Sequence, residues 1–163
     1  MKCVIALVLV GVVTAQAAVL AVDSKGANYI GGTVAAFVTM KDPIEGKIDS
    51  SKEVALTFTA DDKPFRGTLL TIPYDKITEL EYGQKAGRRV AVAIMVSPLA
   101  LFSKKRNHFL TVTYKDDADK EQSAIFELGK DIVRTTIKII ETRAGKKVTY
   151  QDEEARKYGT GGD

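Results

Sequence analysis

His108 is the sole histidine of this 163-residue chain, and Cys3 its sole cysteine. Nucleophilic or general acid–base catalysis needs such a group held beside a partner base or carboxylate. No motif supplies a partner for His108, which reads as a strand residue next to a basic cluster. One cysteine excludes a disulfide framework within the chain, and a Cys/His zinc site cannot be assembled from one of each. Asp116, Asp117 and Asp119 bring carboxylates together in "DDADKE". A calcium loop of the EF-hand kind needs oxygen ligands at fixed positions, a central glycine and a closing glutamate. That pattern is missing, so the cluster reads as a solvated hairpin turn, and Asp61-Asp62 reads the same way. Gly31-Gly32 and Gly159–Gly162 lack the strand–loop–helix setting and the Lys-Ser or Lys-Thr of a phosphate loop. No serine sits in a G-x-S-x-G context. The expectation is a protein with no catalytic residues, no metal and no cofactor.

A different chemistry is written in "RRVAVAIMVSPLALFSKKR", residues 88–106. Val90 to Phe102 carries no charge, and Arg88, Arg89, Lys104, Lys105 and Arg106 flank it. A thirteen-residue helix would reach ~20 Å against a hydrocarbon core of ~30 Å, and Pro98 interrupts a helix. An ordinary span is therefore excluded. Two readings remain. The run is a buried strand, "RVAVAIMV", with a turn at Ser97-Pro98 and an apolar segment under the sheet. Alternatively it inserts at a membrane interface or meets a partner, with the five basic residues against anionic headgroups at ~1 kcal/mol each. Those five residues are the candidate contact with a membrane or a protein.

The composition, 45% hydrophobic and 28% charged, is that of a folded domain and excludes a wholly disordered chain. The length is that of one domain. A net charge of +3 is too weak to argue for nucleic acid. The first residues have the layout of a secretory signal peptide. Lys2 gives a positive start, Val4 to Val13 an apolar stretch, and Ala15-Gln16-Ala17 a small-residue cleavage match, so that residues 1–17 would be removed. Export to a bacterial periplasm, or secretion, follows. The alternative is an N-terminal anchor to about Val22, because Cys3 to Val22 is twenty residues with only Thr14 and Gln16 polar, and roughly twenty are enough to span a bilayer.

From Tyr29 the chain alternates with the period of strands. "YIGGTVAAFVTM" places Ile30, Val34, Ala36 and Val38 on one face, with a bend or bulge at Gly31-Gly32. "KDPIEGK" reads as a turn. "EVALTFTA" presents Val54, Leu56 and Phe58 on one side. "DDKPF" is a turn between antiparallel strands. "RGTLLTI" follows, ended or made an edge by Pro73, and then "KITELEY". Phe109 to Leu128 reads as a hairpin turning at "KDDADKE". "GKDIVRTTIKIIETRAGKK" is the one convincing helix of the mature chain. Ile132, Val133, Thr136, Ile137, Ile139, Ile140 and Ala144 share one arc, and Asp131, Arg134, Lys138 and Glu141 share the other. Gly129 is its expected N-cap and Gly145 its stop. Residues 148–163 read as a charged, glycine-rich tail with a brief strand or turn and a frayed end.

Short antiparallel strands followed by one amphipathic helix resemble the bacterial pleckstrin-homology-like families. "LTIPYDKITELEYG", residues 70–83, and "FELGKDIVRTTIKIIE", residues 126–141, carry the likeness, which covers roughly residues 29–147. It implies a mainly β (α+β) fold: a bent antiparallel sheet or partial barrel capped by one C-terminal helix, with residues 88–106 as an insertion. With the export signal and the lack of a catalytic constellation, the expectation is a non-catalytic binding or scaffolding module of the cell envelope, whose partner is a protein or an anionic membrane surface. The alternatives are a small apolar-ligand carrier and an enzyme without a recognisable motif. Family members that bind lipid use basic residues in an early turn. Here "ADDKPFR" sets two acids against Lys63 and Arg66, so no family binding residue is carried over.

Overall fold

The computed structural model describes residues 25–84, 95–96 and 107–161. The signal or anchor segment lies outside them, as do Arg88, Arg89, Lys104, Lys105, Arg106 and all of Val90–Phe102 except Met95 and Val96.

The strands are β1 (Lys25–Gly32), β2 (Ile44–Asp49), β3 (Ala55–Ala60), β4 (Leu69–Pro73), β5 (Ile77–Gly83), β6 (Met95–Val96), β7 (His108–Lys115), β8 (Glu121–Leu128) and β9 (Val148–Tyr150). Two helices, α1 (Val133–Ala144) and α2 (Glu153–Thr160), flank β9 in the chain. The protein is mainly a β sheet with helices near its C-terminus. Its strand order is β4-β3-β2-β1-β8-β7-β5-β9, with β6 paired to β1 off this path. All pairings are antiparallel except β5 with β9.

Alternation explains which way each strand faces. Tyr29, Phe126, Leu110 and Tyr82 lie opposite one another across β1, β8, β7 and β5. All four are buried in one apolar cluster with Phe37, Phe58, Leu56, Ile72 and Leu80. Phe58 on β3 and Phe126 on β8 are three strand spacings apart, about 14 Å in a flat sheet. Their ring centroids are nevertheless 5.5 Å apart, because the sheet curls around this face. Helix α1 adds Val133, Ile137 and Ile140 to the cluster, as its apolar arc predicts. Gly145, with φ +63°, stops it.

The register slips between Tyr29 and Gly31, which is the irregularity expected at the glycine pair. A side chain at Gly32 would come within 2.2 Å of the Ser123 carbonyl oxygen, so only glycine fits where β1 and β8 pass. The β3–β4 hairpin, the end of β4 at Pro73 and the β7–β8 hairpin all form as expected.

Five expectations are corrected. The strand of "YIGGTVAAFVTM" stops at Gly32, and Ala35–Phe37 is a 3-10 turn. Val34, Phe37 and Met40 are buried while Ala36 and Val38 are exposed. The spacing of the buried residues there is three, not two. "KDPIEGK" contains most of strand β2, where Ile44, Gly46 and Ile48 turn inward; Asp42 and Pro43 start the strand instead of marking a loop. Val54 does not share the Leu56–Phe58 face: it precedes β3 and is 76% exposed. The tail holds a second helix, and the first has Ile132 as N-cap, while Gly129 contributes only its carbonyl to the Ile132 and Val133 amides.

Candidate binding groove

Helix α1 is amphipathic, so one arc must stay outside the core it covers. That outer side is not a plain convex surface. With β9, α2 and the stretch before β3 it borders an open groove of about 1070 Å³. Ile139, Val148 and Tyr150 give it apolar surface, and Arg134, Lys138, Arg143 and Lys147 supply four cations against the carboxylates of Glu53 and Glu141.

Each wall is fixed by an identifiable contact. Arg143 donates to the carbonyls of Ser50 and Lys52 and lies 5.6 Å over the Tyr74 ring, which ties the C-terminal end of α1 to the β2–β3 connection. Glu141 accepts the Val148 amide at 2.8 Å, so one of the two carboxylates is engaged in holding β9. Arg134 donates through Nε to the Tyr158 carbonyl at 2.6 Å and sits 4.8 Å over that ring, which draws α2 against α1. Gly159 is required by closeness: a Cβ there would meet Tyr150 Cε1 at 2.4 Å. The ammonium groups of Lys138 and Lys147 have no partner among the described residues. They are the charges that remain available to something in the groove.

His108 stands behind this wall. It is 6% exposed, 2.7 Å from the Tyr82 hydroxyl through Nδ1, and stacked on Tyr158 at 4.3 Å. Burial, and then the nearby Arg134 charge, hold its pKa below the ordinary histidine value. Burial also pushes the Tyr82 hydroxyl well up. The arrangement is a stack of His108 with Tyr82 and Tyr158 that seats α2.

The remaining sequence candidates divide cleanly. Asp116 accepts the amides of Ala118 and Lys120 and the Gln122 side chain. It organises a hairpin turn, and Asp119 pairs with Lys115. Among the described residues no group of three His, Cys, Asp or Glu side chains is placed to hold a metal. No described helix is long and apolar enough to cross a membrane. The five basic residues flanking Val90–Phe102 lie outside the described residues. The groove is not legible in the sequence, because Arg134 and Lys138 fall on the polar arc of the helix and nothing in the local pattern places Arg143 and Lys147 beside them. One signal was present: residues 129–147 hold six basic and two acidic residues, a net +4 within a chain of net +3.

No protein-family model matches the chain, and no curated protein matches it.

Proposed function

We propose that this protein is a non-catalytic binding module of the cell envelope, exported or anchored by its N-terminal segment, and that the groove along α1 is its contact surface. The observation that carries the reading is the groove itself. Ligand sites are concave and largely apolar, with a few placed polar groups, and here lysines without a partner among the described residues border apolar side chains. The inner face of the sheet, by contrast, is filled by Tyr29, Phe37, Phe58 and Phe126, packed ring against ring. The pleckstrin-homology-like resemblance is part of the proposal. It is supported by the order β4-β3-β2-β1-β8-β7-β5, a meander of two hairpin-linked halves followed by a helix, with β6 falling in the expected insertion.

A second reading, a small apolar-ligand carrier, is favoured by the Ile139, Val148 and Tyr150 side of the groove. On that reading the ligand lies outside the sheet, against α1 and β9.

Amide hydrogen exchange of the full-length chain, with and without an envelope extract, tests the contact surface. Slowed exchange in α1, β9 and α2 is expected. Unchanged exchange there would overturn the reading.

A further inference from the structure

Resting on that binding reading, we infer that the groove takes a single-chain anionic amphiphile, its acyl chain against Ile139, Val148 and Tyr150 and its head at Lys138 and Lys147. Three features converge on this chemistry.

The first is the sign of the charge. Of the two carboxylates bordering the groove, Glu141 is already bonded to the Val148 amide. Of the four cations, the guanidinium groups are committed to the carbonyls of Ser50, Lys52 and Tyr158, and the two ammonium groups are uncommitted. An anion gains from both lysines, whereas a cation would meet four like charges.

The second is the surface between those charges. Ile139 is only half-buried although it is a large aliphatic residue on a helix whose inner arc is already filled by Val133, Ile137 and Ile140. Tyr150 is also half-buried. An acyl chain would remove this apolar surface from water, at about 25 cal/mol per Å². A compact anion such as free phosphate would leave it wet.

The third is shape. From Arg134 to Arg143 the helix rises about 14 Å, so the groove is elongated and open, and suits a medium-length chain better than a ring. The shared chemistry is an anionic head on one alkyl chain. A free fatty acid and a membrane lipid extending a chain both provide it.

The test is titration of the full-length chain with dodecanoate below its micelle concentration, followed by calorimetry and amide chemical shifts. Dodecyltrimethylammonium is the charge-reversed control. Dodecanoate is expected to bind, with shifts confined to α1, β9 and α2, and the cationic amphiphile is expected not to. Lys138→Gln with Lys147→Gln should weaken dodecanoate at least tenfold. Both side chains are exposed, and circular dichroism confirms the variant's fold. A variant with Gln at 88, 89, 104, 105 and 106 should retain full affinity. Equal binding of the two amphiphiles, or undiminished affinity in the double-lysine variant, would overturn the proposal. Phosphatidylglycerol vesicles added in a parallel arm identify the source: lysine-dependent co-sedimentation marks a membrane lipid, and binding of dodecanoate alone marks a free acid. Protection of α1 by envelope extract without any response to dodecanoate would remove this ligand class and leave the binding reading standing.

Discussion

At the scale of the residue, His108 shows how a chemically suggestive side chain becomes structural. Its partners are Tyr82 on β5 and Tyr158 on α2, and neither is near it in the chain. Neither contact is legible in the sequence, because a strand pairing and a helix docking bring them together. The same site carries a pH dependence. The unfolded chain protonates His108 at about 6.5, while burial and Arg134 lower the folded value. Below 6.5 the unfolded state therefore binds the proton more readily, and stability falls as pH falls. The carboxylates held low, Asp49, Asp116 and Glu153, act in the same direction at lower pH: their stabilisation is present above the ordinary carboxylate range and is lost only in stronger acid. Urea unfolding at pH 7 and pH 5 should show the loss in the wild type and a smaller one in His108→Gln. Equal losses in both proteins would assign the effect elsewhere.

At the scale of the element, legibility followed the strength of the local pattern. Helix α1 was readable because its apolar arc recurs over several turns, and β7 because Leu110, Val112 and Tyr114 alternate with partly exposed residues; β8 was readable as its hairpin partner. Strand β2 was hidden by Asp42, Pro43 and Gly46, residues that also make turns. Gly46 is there for a packing reason: a Cβ would lie 2.6 Å from the Phe58 ring. Helix α2 was hidden by its glycines, yet its start was written plainly. Asp152 accepts the Ala155 amide at 2.8 Å, and Glu153 and Glu154 occupy the first turn, where the helix dipole favours acids. Asp152→Ala removes that cap and should cost about 1 kcal/mol. The loss should be read as faster amide exchange confined to α2, with β7 and β8 unaffected. Because α2 seats against His108 and Arg134, the same substitution should loosen one wall of the groove.

At the scale of the whole molecule, the sheet buries side chains on both faces. Ile30, Phe109 and Ile125 are at most 4% exposed, but none belongs to the main apolar cluster. Ile125 lies opposite Thr111 and Gly31 in the register, one step out of phase with the Phe126–Leu110 row. It therefore faces away from that cluster. Strand β6 pairs with Gly31 and Gly32 at the border of this second patch. A half-solvated sheet would show clean alternation, and the unbroken burial from Ser123 to Phe126 reports the departure. Ile125→Ala is expected to destabilise by about 2–4 kcal/mol, as a core substitution does, with the shift read in thermal denaturation. A change within the ±0.5 kcal/mol of an ordinary surface site would contradict a second buried layer.

The sequence by itself determined the elements whose residues carry their own periodicity: the β7–β8 hairpin, β3 to β5, the helix α1 and its glycine stop. It also set the charge excess of residues 129–147, since charge is countable without a fold. Only the tertiary structure decided where those charges stand. The order of the strands, the curl that brings Phe58 to Phe126, the docking of α2 through Tyr158 and the groove between α1, β9 and α2 all depend on contacts between distant segments. Periodicity reports which way a side chain turns from its own backbone. It does not report what stands opposite, and a binding surface is made of what stands opposite.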